Sequence, residues 1–313
     1  MPKNIDLKNN NEIEVKKILF ITLSNLGDVI LTTPALEAIH SNYPNAKVDI
    51  VGDKKSIAVL KYCPYLENLY IKNKTDGFFG LVALLKKIRL TNYDLAIDLR
   101  SDGLLYFIKS KKKIHKLPNN KTMNLHSAEK HYSCLRELVA GKVPNSKIWI
   151  TEKEIRTANE KIKSTKKNKI LSLGLGSRYE EKNWPAVHYA DLSNKLLDFF
   201  DIVILVGNKD DSKYAKEFIE KYQGKVINCM GQYNILETAA LIQRSVLFIG
   251  NDSGLGHIAS SVGVKTYTLF GKGQPYRYRP WGKNAQWYQD KNFEITEIKV
   301  SSIISKIKSF LTS

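Results

Sequence analysis

The sequence has no hydrophobic run long enough to cross a membrane. Its longest uninterrupted apolar runs, such as residues 104–108 and 202–206, are short, whereas a membrane-spanning helix needs roughly 18 apolar residues. Segment 1–17 mixes Lys, Asn, Asp and Glu and has no apolar stretch ahead of a small-residue cleavage site. It therefore does not resemble a secretory signal, and we expect a cytoplasmic protein.

Cysteine is scarce as well. The chain has three, Cys63, Cys134 and Cys229, and no two of them have the C-x-x-C spacing of zinc or redox sites. This pattern argues against a structural zinc ion and against a disulfide framework. We predict three buried thiols in a protein of a reducing compartment.

Several motifs that mark common metal and cofactor sites are missing. The six histidines show no H-E-x-x-H or comparable spacing and no D-x-D occurs, so we expect no bound metal. The P-loop pattern G-x-x-x-x-G-K-[ST] and the hydrolase pattern G-x-S-x-G are also absent. The dinucleotide pattern G-x-G-x-x-G fails at residues 174–179, because Tyr179 stands at the third glycine position. We therefore expect no cofactor.

Basic residues exceed acidic ones, and the excess is local. Lys and Arg number 49 against 31 Asp and Glu, a net charge of +18, and residues 51–150 alone hold 19 basic and 8 acidic residues. A basic surface attracts polyanions such as nucleic acid, anionic lipid head groups or an acidic glycolipid. It also keeps a protein soluble without any partner, so composition leaves both interpretations open.

The chain of 313 residues, 43% of them hydrophobic, is long enough for two domains with separate cores. Apolar runs of strand length alternate with helix-length segments, and the pattern restarts after a Lys-rich connector at 161–169. This alternation predicts an α/β fold with doubly wound parallel sheets. We place the boundary near residue 160, which gives domains at 1–160 and 161–290.

The predicted elements follow from the apolar runs and their periodicity. The predicted strands are 18–23, 48–52, 95–99, 170–176, 202–207, 246–250 and 265–270, and the predicted helices are 29–40, 187–199, 215–222 and 236–244. The last segment, 295–311, is amphipathic. It can pack on the protein or lie on a membrane surface, and we expect packing because so short a basic helix binds a bilayer weakly.

Ligands of doubly wound sheets bind at the carboxyl ends of the strands, so the turns after strands are where a site is expected. The first turn, residues 24–28 (SNLGD), places Asp28 between a strand and a helix. A carboxylate there faces the cleft and can act as a general base. Asp is also a common helix N-cap, so turn chemistry alone leaves both roles open.

Two more turns suit phosphate and sugar binding. Residues 174–178 (GLGSR) lead to Lys182, and Gly-rich turns after strands hold phosphates with backbone N–H groups while a Lys adds charge. Residues 251–257 (NDSGLGH) can present a carboxylate to sugar hydroxyls and backbone N–H groups to a pyrophosphate. A capped helix with a hydrogen-bonded His fits the same spacing.

A fourth turn, 269–275 (LFGKGQP), precedes residues 276–279 (YRYR), where Tyr and Arg alternate. Such interleaving occurs in proteins that bind single-stranded nucleic acid. One short run is weak evidence for that function.

Three of these segments together carry a resemblance to a known family. Residues 26–34 (LGDVILTTP), 182–185 (KNWP) and 251–259 (NDSGLGHIA) resemble, in the same order, motifs of the bacterial heptosyltransferases of glycosyltransferase family 9. The resemblance implies the GT-B architecture, in which two Rossmann-like domains face each other. The first domain would bind the acceptor, the second the nucleotide-sugar, and a C-terminal helix at 291–313 would return to the first domain.

The resemblance also implies the chemistry. These are inverting, metal-independent enzymes that transfer heptose from ADP-heptose to the inner core of lipopolysaccharide at the cytosolic face of the inner membrane. Asp28 would be the general base, and Lys182 would hold the pyrophosphate and offset the charge on the leaving ADP. The other implied donor-binding residues are Ser177, Asp211, Asp252, Ser253, Gly254 and His257, and the implied acceptor or turn-supporting residues are Asn25, Gly27, Thr32 and Thr33.

An acceptor of the lipid A type gives the basic excess a meaning, because such an acceptor carries phosphates and acidic sugars. Near an anionic leaflet each Lys adds about 1 kcal/mol of attraction. We therefore expect an anionic glycolipid partner and peripheral membrane contact, and no nucleic acid. The densest basic stretch consists of Lys109, Lys111, Lys112, Lys113 and Lys116.

Two departures from the family pattern leave other functions open. Gly271 is followed by Lys272 and Gly273 instead of Pro and Thr, and Leu255 stands where Pro is usual. Both lie on the donor side, so a related transferase with another nucleotide-sugar is an alternative. The further alternatives are a non-catalytic binder of anionic glycans or nucleic acid, and an epimerase that needs no acceptor.

Overall fold

The computed structural model describes residues 14–100, 103–116, 124–163 and 169–312. Its strands form two parallel sheets, one of five strands in the first half of the chain and one of six in the second. The predicted α/β class is confirmed. Residues 1–13 of the N-terminal segment and 164–168 of the Lys-rich connector lie outside the described residues.

The first sheet has the strand order β3-β2-β1-β4-β5. Successive side chains of a strand point to opposite faces: Ile18 and Phe20 share a hydrophobic cluster with residues of the first helix, and Leu19 and Ile21 share another with residues of the second helix. The elements of this half are β1 (Lys17–Ile21), α1 (Leu26–Asn42), β2 (Lys47–Asp53), β3 (Leu66–Lys72), α2 (Gly77–Ile88), β4 (Tyr93–Asp98), β5 (Ser110–His115), α3 (Ser127–Ser133) and α4 (Glu152–Ile162).

The second sheet has the order β11-β10-β9-β6-β7-β8, so its connections reverse direction between β6 and β9. Such a reversal opens a crevice at the carboxyl ends of the strands, where ligands bind. The elements are β6 (Ile170–Gly174), α5 (Ala186–Asn194), β7 (Ile202–Leu205), α6 (Ser212–Lys221), β8 (Val226–Asn228), α7 (Ile235–Gln243), β9 (Leu247–Asn251), α8 (Gly254–Ser261), β10 (Lys265–Phe270), α9 (Pro275–Tyr278), β11 (Ala285–Gln289) and α10 (Val300–Thr312).

The strands that the sequence analysis missed are all edge strands. β3 and β5 border the first sheet, and β8 and β11 border the second. Their side chains are mostly exposed or half-buried, because an edge strand is covered less than a central one. They therefore lack the continuous apolar run that marked the seven central strands, whose prediction is confirmed. The three cysteines are buried free thiols, as predicted.

The C-terminal helix packs differently from the expectation. Segment 291–313 was expected to return to the first domain, whereas the described contacts of α10 are with the second. Ile303 and Ile307 are buried in the hydrophobic cluster of the second sheet, and Lys265 Nζ donates to the carbonyl of Phe310 over 2.8 Å. The apolar stripe of α10 is buried in the second half, which corrects the expectation. No helix among the described residues is long and apolar enough to span a membrane.

A hydrogen-bonded aromatic contact joins the two halves. His126, the N-cap residue of α3, accepts at Nδ1 from the N–H of Ala128 (3.2 Å), so Nε2 carries the proton and donates to the carbonyl of Arg279 (2.9 Å). The imidazole centroid lies 4.7 Å from a ring of Trp281. The indole N–H of Trp281 donates to the carbonyl of Pro144 (2.8 Å). The contact therefore needs a neutral imidazole in one tautomer.

Acidification should weaken the folded protein through this contact. Burial lowers the pKa of His126 to about 4 and that of His131 to about 3. Between about pH 4 and 6.5 the unfolded chain therefore binds more protons than the folded one. The stability from each His is present above about pH 6.5 and is lost as the pH falls, by up to roughly 3 kcal/mol for His126.

Urea denaturation at about pH 7.5 and about pH 5 measures this loss. We expect the free energy of unfolding of the His126→Gln variant to change less between the two pH values than that of the wild type. Equal changes in the two proteins would contradict the prediction.

Candidate active site

A cavity of about 420 Å³ lies between the two halves, at the carboxyl ends of their sheets. One wall is the start of α1, which follows β1, and the other is formed by the segments after β6, β9 and β10. The cavity thus brings together residues that the sequence analysis selected in separate turns. Its lining includes Asn25, Gly27, Asp28, Lys182, Asp252, Ser253, Gly254 and His257.

Asp28 lies in the first turn of α1, not at its N-cap. The helix begins at Leu26 with Asn25 as the N-cap residue, which excludes the capping role that the sequence left open for Asp28. Asn25 Nδ2 donates a hydrogen bond to Asp28 Oδ2 over 2.9 Å. Asn25 thereby orients the Asp28 carboxylate within the cavity.

Lys182 and Asp252 form an ion pair on the second wall of the cavity. Lys182 Nζ lies 2.5 Å from Asp252 Oδ2, and both side chains are mostly withdrawn from solvent. An ammonium group has three donors and a carboxylate has two acceptor oxygens, so each keeps capacity beyond this contact. The pair offers a cation and a hydrogen-bond acceptor side by side, which suits a ligand with both phosphates and hydroxyls.

Asn251 fixes the position of this pair, and the sequence analysis gave it no role. Its side chain is fully buried. The side-chain oxygen Oδ1 accepts from the backbone N–H of Trp184 (3.0 Å) and from the Tyr189 hydroxyl (2.9 Å). The side-chain nitrogen Nδ2 donates to the carbonyl of Leu175 (2.8 Å). One amide therefore ties the turn after β6 and the segment after Lys182 to the end of β9. The sequence signal that could have identified Asn251 is its position as a polar residue at the end of an otherwise apolar strand.

Two buried polar atoms beside the ion pair have no hydrogen-bond partner in the described part of the chain. They are Ser253 Oγ and His257 Nδ1. Burial lowers the pKa of His257, and the carboxylates of Asp252 and Asp28 oppose this shift. Buried polar groups are nearly always hydrogen-bonded, so these two atoms mark a place where a ligand can supply a partner.

A second cavity, of about 670 Å³, adjoins the first and shares Ser253 and Gly254 with it. Ser177 lines it, and its hydroxyl donates to the carbonyl of Tyr179 (2.7 Å). Asp211 also lines it, and accepts from the N–H of Asn208 (2.9 Å), while burial raises its pKa. The expected donor-binding residues, which all belong to the second half, are thus divided between two adjoining cavities.

Thr32 and Thr33 lie outside both cavities. Both side chains are fully buried, and they donate to the carbonyls of Val29 and Ile30 over 2.7 Å each. Thr33 also accepts from the N–H of Lys147 (2.9 Å). Of the two roles expected for these threonines, support of the turn fits the structure and direct contact with an acceptor does not.

The comparison with known families decides the identity. A family model described as glycosyltransferase family 9 (heptosyltransferase) matches residues 81–307, most of the chain. The chain belongs to glycosyltransferase family 9. Lipopolysaccharide heptosyltransferase 3 of Escherichia coli (strain K12) is 26% identical and the alignment covers 86% of each chain. Lipopolysaccharide heptosyltransferase 1 of Campylobacter coli is 27% identical over 83% of this chain and 85% of that protein.

Solved structures show the same fold. The family 9 glycosyl transferase of Veillonella parvula DSM 2008 superposes with a TM-score of 0.86 at 24% identity, covering 97% of this chain and 99% of that one. The E. coli ADP-heptose lps heptosyltransferase II superposes with a TM-score of 0.77 at 17% identity, covering 95% and 98%. The GT-B architecture of two α/β halves is confirmed for this family 9 member.

Gly27→Ala tests the close approach of the two halves. A Cβ at this position would lie 2.7 Å from Cδ2 of the buried His257 ring, so the halves would have to separate or the ring would have to move. Asp28 and Lys182 belong to different halves, so either change would shift them relative to each other. A misplacement of about 1 Å in an active site can lower the rate steeply. We expect the glycosyltransferase rate to fall at least about tenfold. An unaltered rate would show that the approach is not required.

Proposed function

We propose that the protein is an inverting glycosyltransferase that transfers heptose from ADP-heptose to an acceptor in the inner core of lipopolysaccharide. The observation that carries this proposal is that Asp28 of the first half lines the same cavity as Lys182 and Asp252 of the second. Family membership supports heptose transfer, and the names of the E. coli and C. coli relatives support lipopolysaccharide as acceptor. The E. coli heptosyltransferase WaaC, which shares the fold, was solved with ADP.

The proposed reaction is a single displacement. Asp28 takes the proton of the acceptor hydroxyl while its oxygen forms a bond to the anomeric carbon of the donor sugar. The bond from that carbon to the phosphate oxygen breaks, and ADP leaves with the electron pair. Lys182 offsets the negative charge that develops on the leaving phosphate. Attack from the face opposite the leaving group inverts the anomeric centre, and the ammonium of Lys182 serves where other enzymes use a metal ion.

The larger cavity is the proposed nucleotide site, and the smaller one is the site of the sugar and its phosphates. Asp211 would accept from the ribose hydroxyls, and Ser177 would support the phosphates. In the smaller cavity Asp252 would accept from the heptose hydroxyls, with Ser253, Gly254 and His257 beside the phosphates.

Donor choice is the part of the proposal that the sequence departures affect. Leu255 lines the larger cavity and Gly273 lines the smaller one, so both departures from the family pattern contact the donor site. A transferase with another nucleotide-sugar is the second candidate, and those two positions favour it.

Asp28→Asn should abolish most of the turnover. The amide keeps the shape of the side chain but accepts no proton, and a positioned base contributes about 10²–10⁴ in rate. We expect kcat for heptose transfer to fall by about that factor while the affinity for ADP, measured by calorimetry, stays unchanged. The control is Asn45→Asp, which replaces an amide by a carboxylate of the same shape at a residue that lines neither of the two active-site cavities. If the wild type binds nucleotide-sugar and glycan but releases no ADP, the non-catalytic interpretation replaces this one.

Lys182→Ala should weaken binding of ADP, because it removes the ammonium that faces the pyrophosphate. A charge-assisted hydrogen bond of this kind corresponds to a loss of roughly tenfold to a hundredfold in affinity. Calorimetry with ADP, UDP and GDP, with a chelator present, measures this. Lys195→Ala removes an exposed lysine at the C-cap of α5 and is the matched control. If the wild type binds UDP or GDP more tightly than ADP, the assignment of ADP-heptose as donor is wrong. If Lys182→Ala leaves the ADP affinity unchanged, the proposed role of Lys182 is wrong.

We also propose that the protein works as a peripheral protein at the cytosolic face of the inner membrane, where an anionic glycolipid acceptor is accessible. Part of the predicted basic stretch has another use: Lys111 Nζ lies 2.7 Å from Asp94 and Lys112 Nζ lies 3.8 Å from Glu137. Both lysines belong to the edge strand β5, and charged side chains protect such edges from pairing with other chains.

A further inference from the structure

Four aromatic side chains of the first half are exposed to an extent that the fold does not explain. Phe78 and Phe79, in the first turn of α2, are 73% and 85% exposed, and Tyr106 and Phe107, in the turn after β4, are 76% and 60% exposed. We call these four residues the aromatic surface. Soluble proteins rarely leave large apolar groups clustered in water, and such clusters mark interaction sites.

The two segments that carry the aromatic surface both pack on the same face of the first sheet. Leu84 and Ile88 of α2 share one hydrophobic cluster with Leu104, Leu105 and Ile108, on the face of the first sheet opposite α1. The buried side of each segment therefore holds it in place, and the exposed rings are fixed on its outer side.

The aromatic surface lies at the same edge of the sheet as the active site. α2 begins beyond the carboxyl end of β3, and the turn with Tyr106 and Phe107 follows the carboxyl end of β4. Asp28 follows the carboxyl end of β1, the strand beside β4. In a parallel sheet these ends form one edge, so the surface flanks the acceptor side of the cleft.

The charge around the aromatic surface is mainly positive. Lys54 and Lys55 are exposed just after β2, the strand beside β3, and Lys116 follows β5, the strand beside β4, so all three lie at the carboxyl edge of the sheet. The nearby carboxylate of Asp76, at the N-cap of α2, accepts a hydrogen bond from Asn73 Nδ2 (2.7 Å). Aromatic side chains beside exposed basic ones are the combination that binds the interface of an anionic bilayer.

We propose that the aromatic surface inserts into the head-group region of an anionic lipid bilayer and holds the acceptor side of the cleft against the membrane. This inference rests on the proposed function, because a lipid-linked acceptor must be reached from the membrane surface. The rings supply apolar contact and the lysines supply attraction to lipid phosphates, so neither group alone sets the affinity.

The test is co-sedimentation of the full chain with vesicles. One set contains zwitterionic lipid alone and the other contains roughly one third anionic lipid. The variant Phe78→Ser/Phe79→Ser removes two exposed rings, and Leu90→Ser/Ile219→Ser removes two exposed apolar side chains outside the aromatic surface as the control. We expect the wild type and the control to bind the anionic vesicles, and the aromatic variant to bind at least about tenfold more weakly.

Salt separates the two contributions. Added salt should weaken wild-type binding by screening the basic residues, while a residual fraction, absent from the aromatic variant, persists. Wild-type protein that ignores anionic vesicles, or an aromatic variant that binds like the control, would overturn the proposal. Light scattering tests whether the aromatic surface instead binds a second copy of the protein. A wild-type dimer that the aromatic variant loses would show this and would also overturn the proposal.

Activity on a soluble, lipid-free acceptor distinguishes this proposal from the proposed function. The aromatic variant should keep wild-type kcat with that acceptor and lose rate only when the acceptor is embedded in vesicles. A protein that transfers heptose to the soluble acceptor but does not bind vesicles would refute the membrane surface alone. Vesicle binding without heptose transfer would refute the function and leave the surface standing.

Discussion

The contact between the first turns of α1 and α8 is the constraint on which the rest of the structure depends. A Cβ at Gly27 would lie 2.7 Å from the His257 ring, and a Cβ at Gly254 would lie 2.7 Å from Leu26. These helices follow strands near the middle of their sheets, so the contact brings two strand edges to one place. The cavity between the halves exists because the glycines allow this approach, and it brings Asp28 into one lining with Lys182 and Asp252.

Hydrogen bonds of buried polar groups keep that geometry. Asn251 ties together the segments that hold Lys182 and Asp252, and His126 and Trp281 bind the two halves to each other. Such groups stabilise one arrangement specifically, because a displaced partner leaves a polar atom buried without a hydrogen bond. The site is therefore positioned by residues that do not take part in the chemistry.

Sequence reasoning succeeded where a single local rule decides the outcome. The central strands were predicted because strands buried on both faces are continuously apolar, and the motif residues were predicted because turns after strands meet at one edge. It failed where the outcome depends on neighbours. Thr32 and Thr33 support the turn from inside the core, the edge strands carry no apolar run, and the apolar residues of α10 join the hydrophobic cluster of the second half.

The sequence by itself determined the fold class, the family resemblance and the set of turns that hold the site, because periodicity and motif spacing are local properties of the chain. Only the tertiary structure decided which residues meet. It placed Asp28 within α1 and not at its cap, paired Lys182 with Asp252, divided the expected donor-binding residues between two cavities and exposed the aromatic surface. Distances between residues far apart in the chain depend on how helices and sheets pack, and no local pattern encodes them.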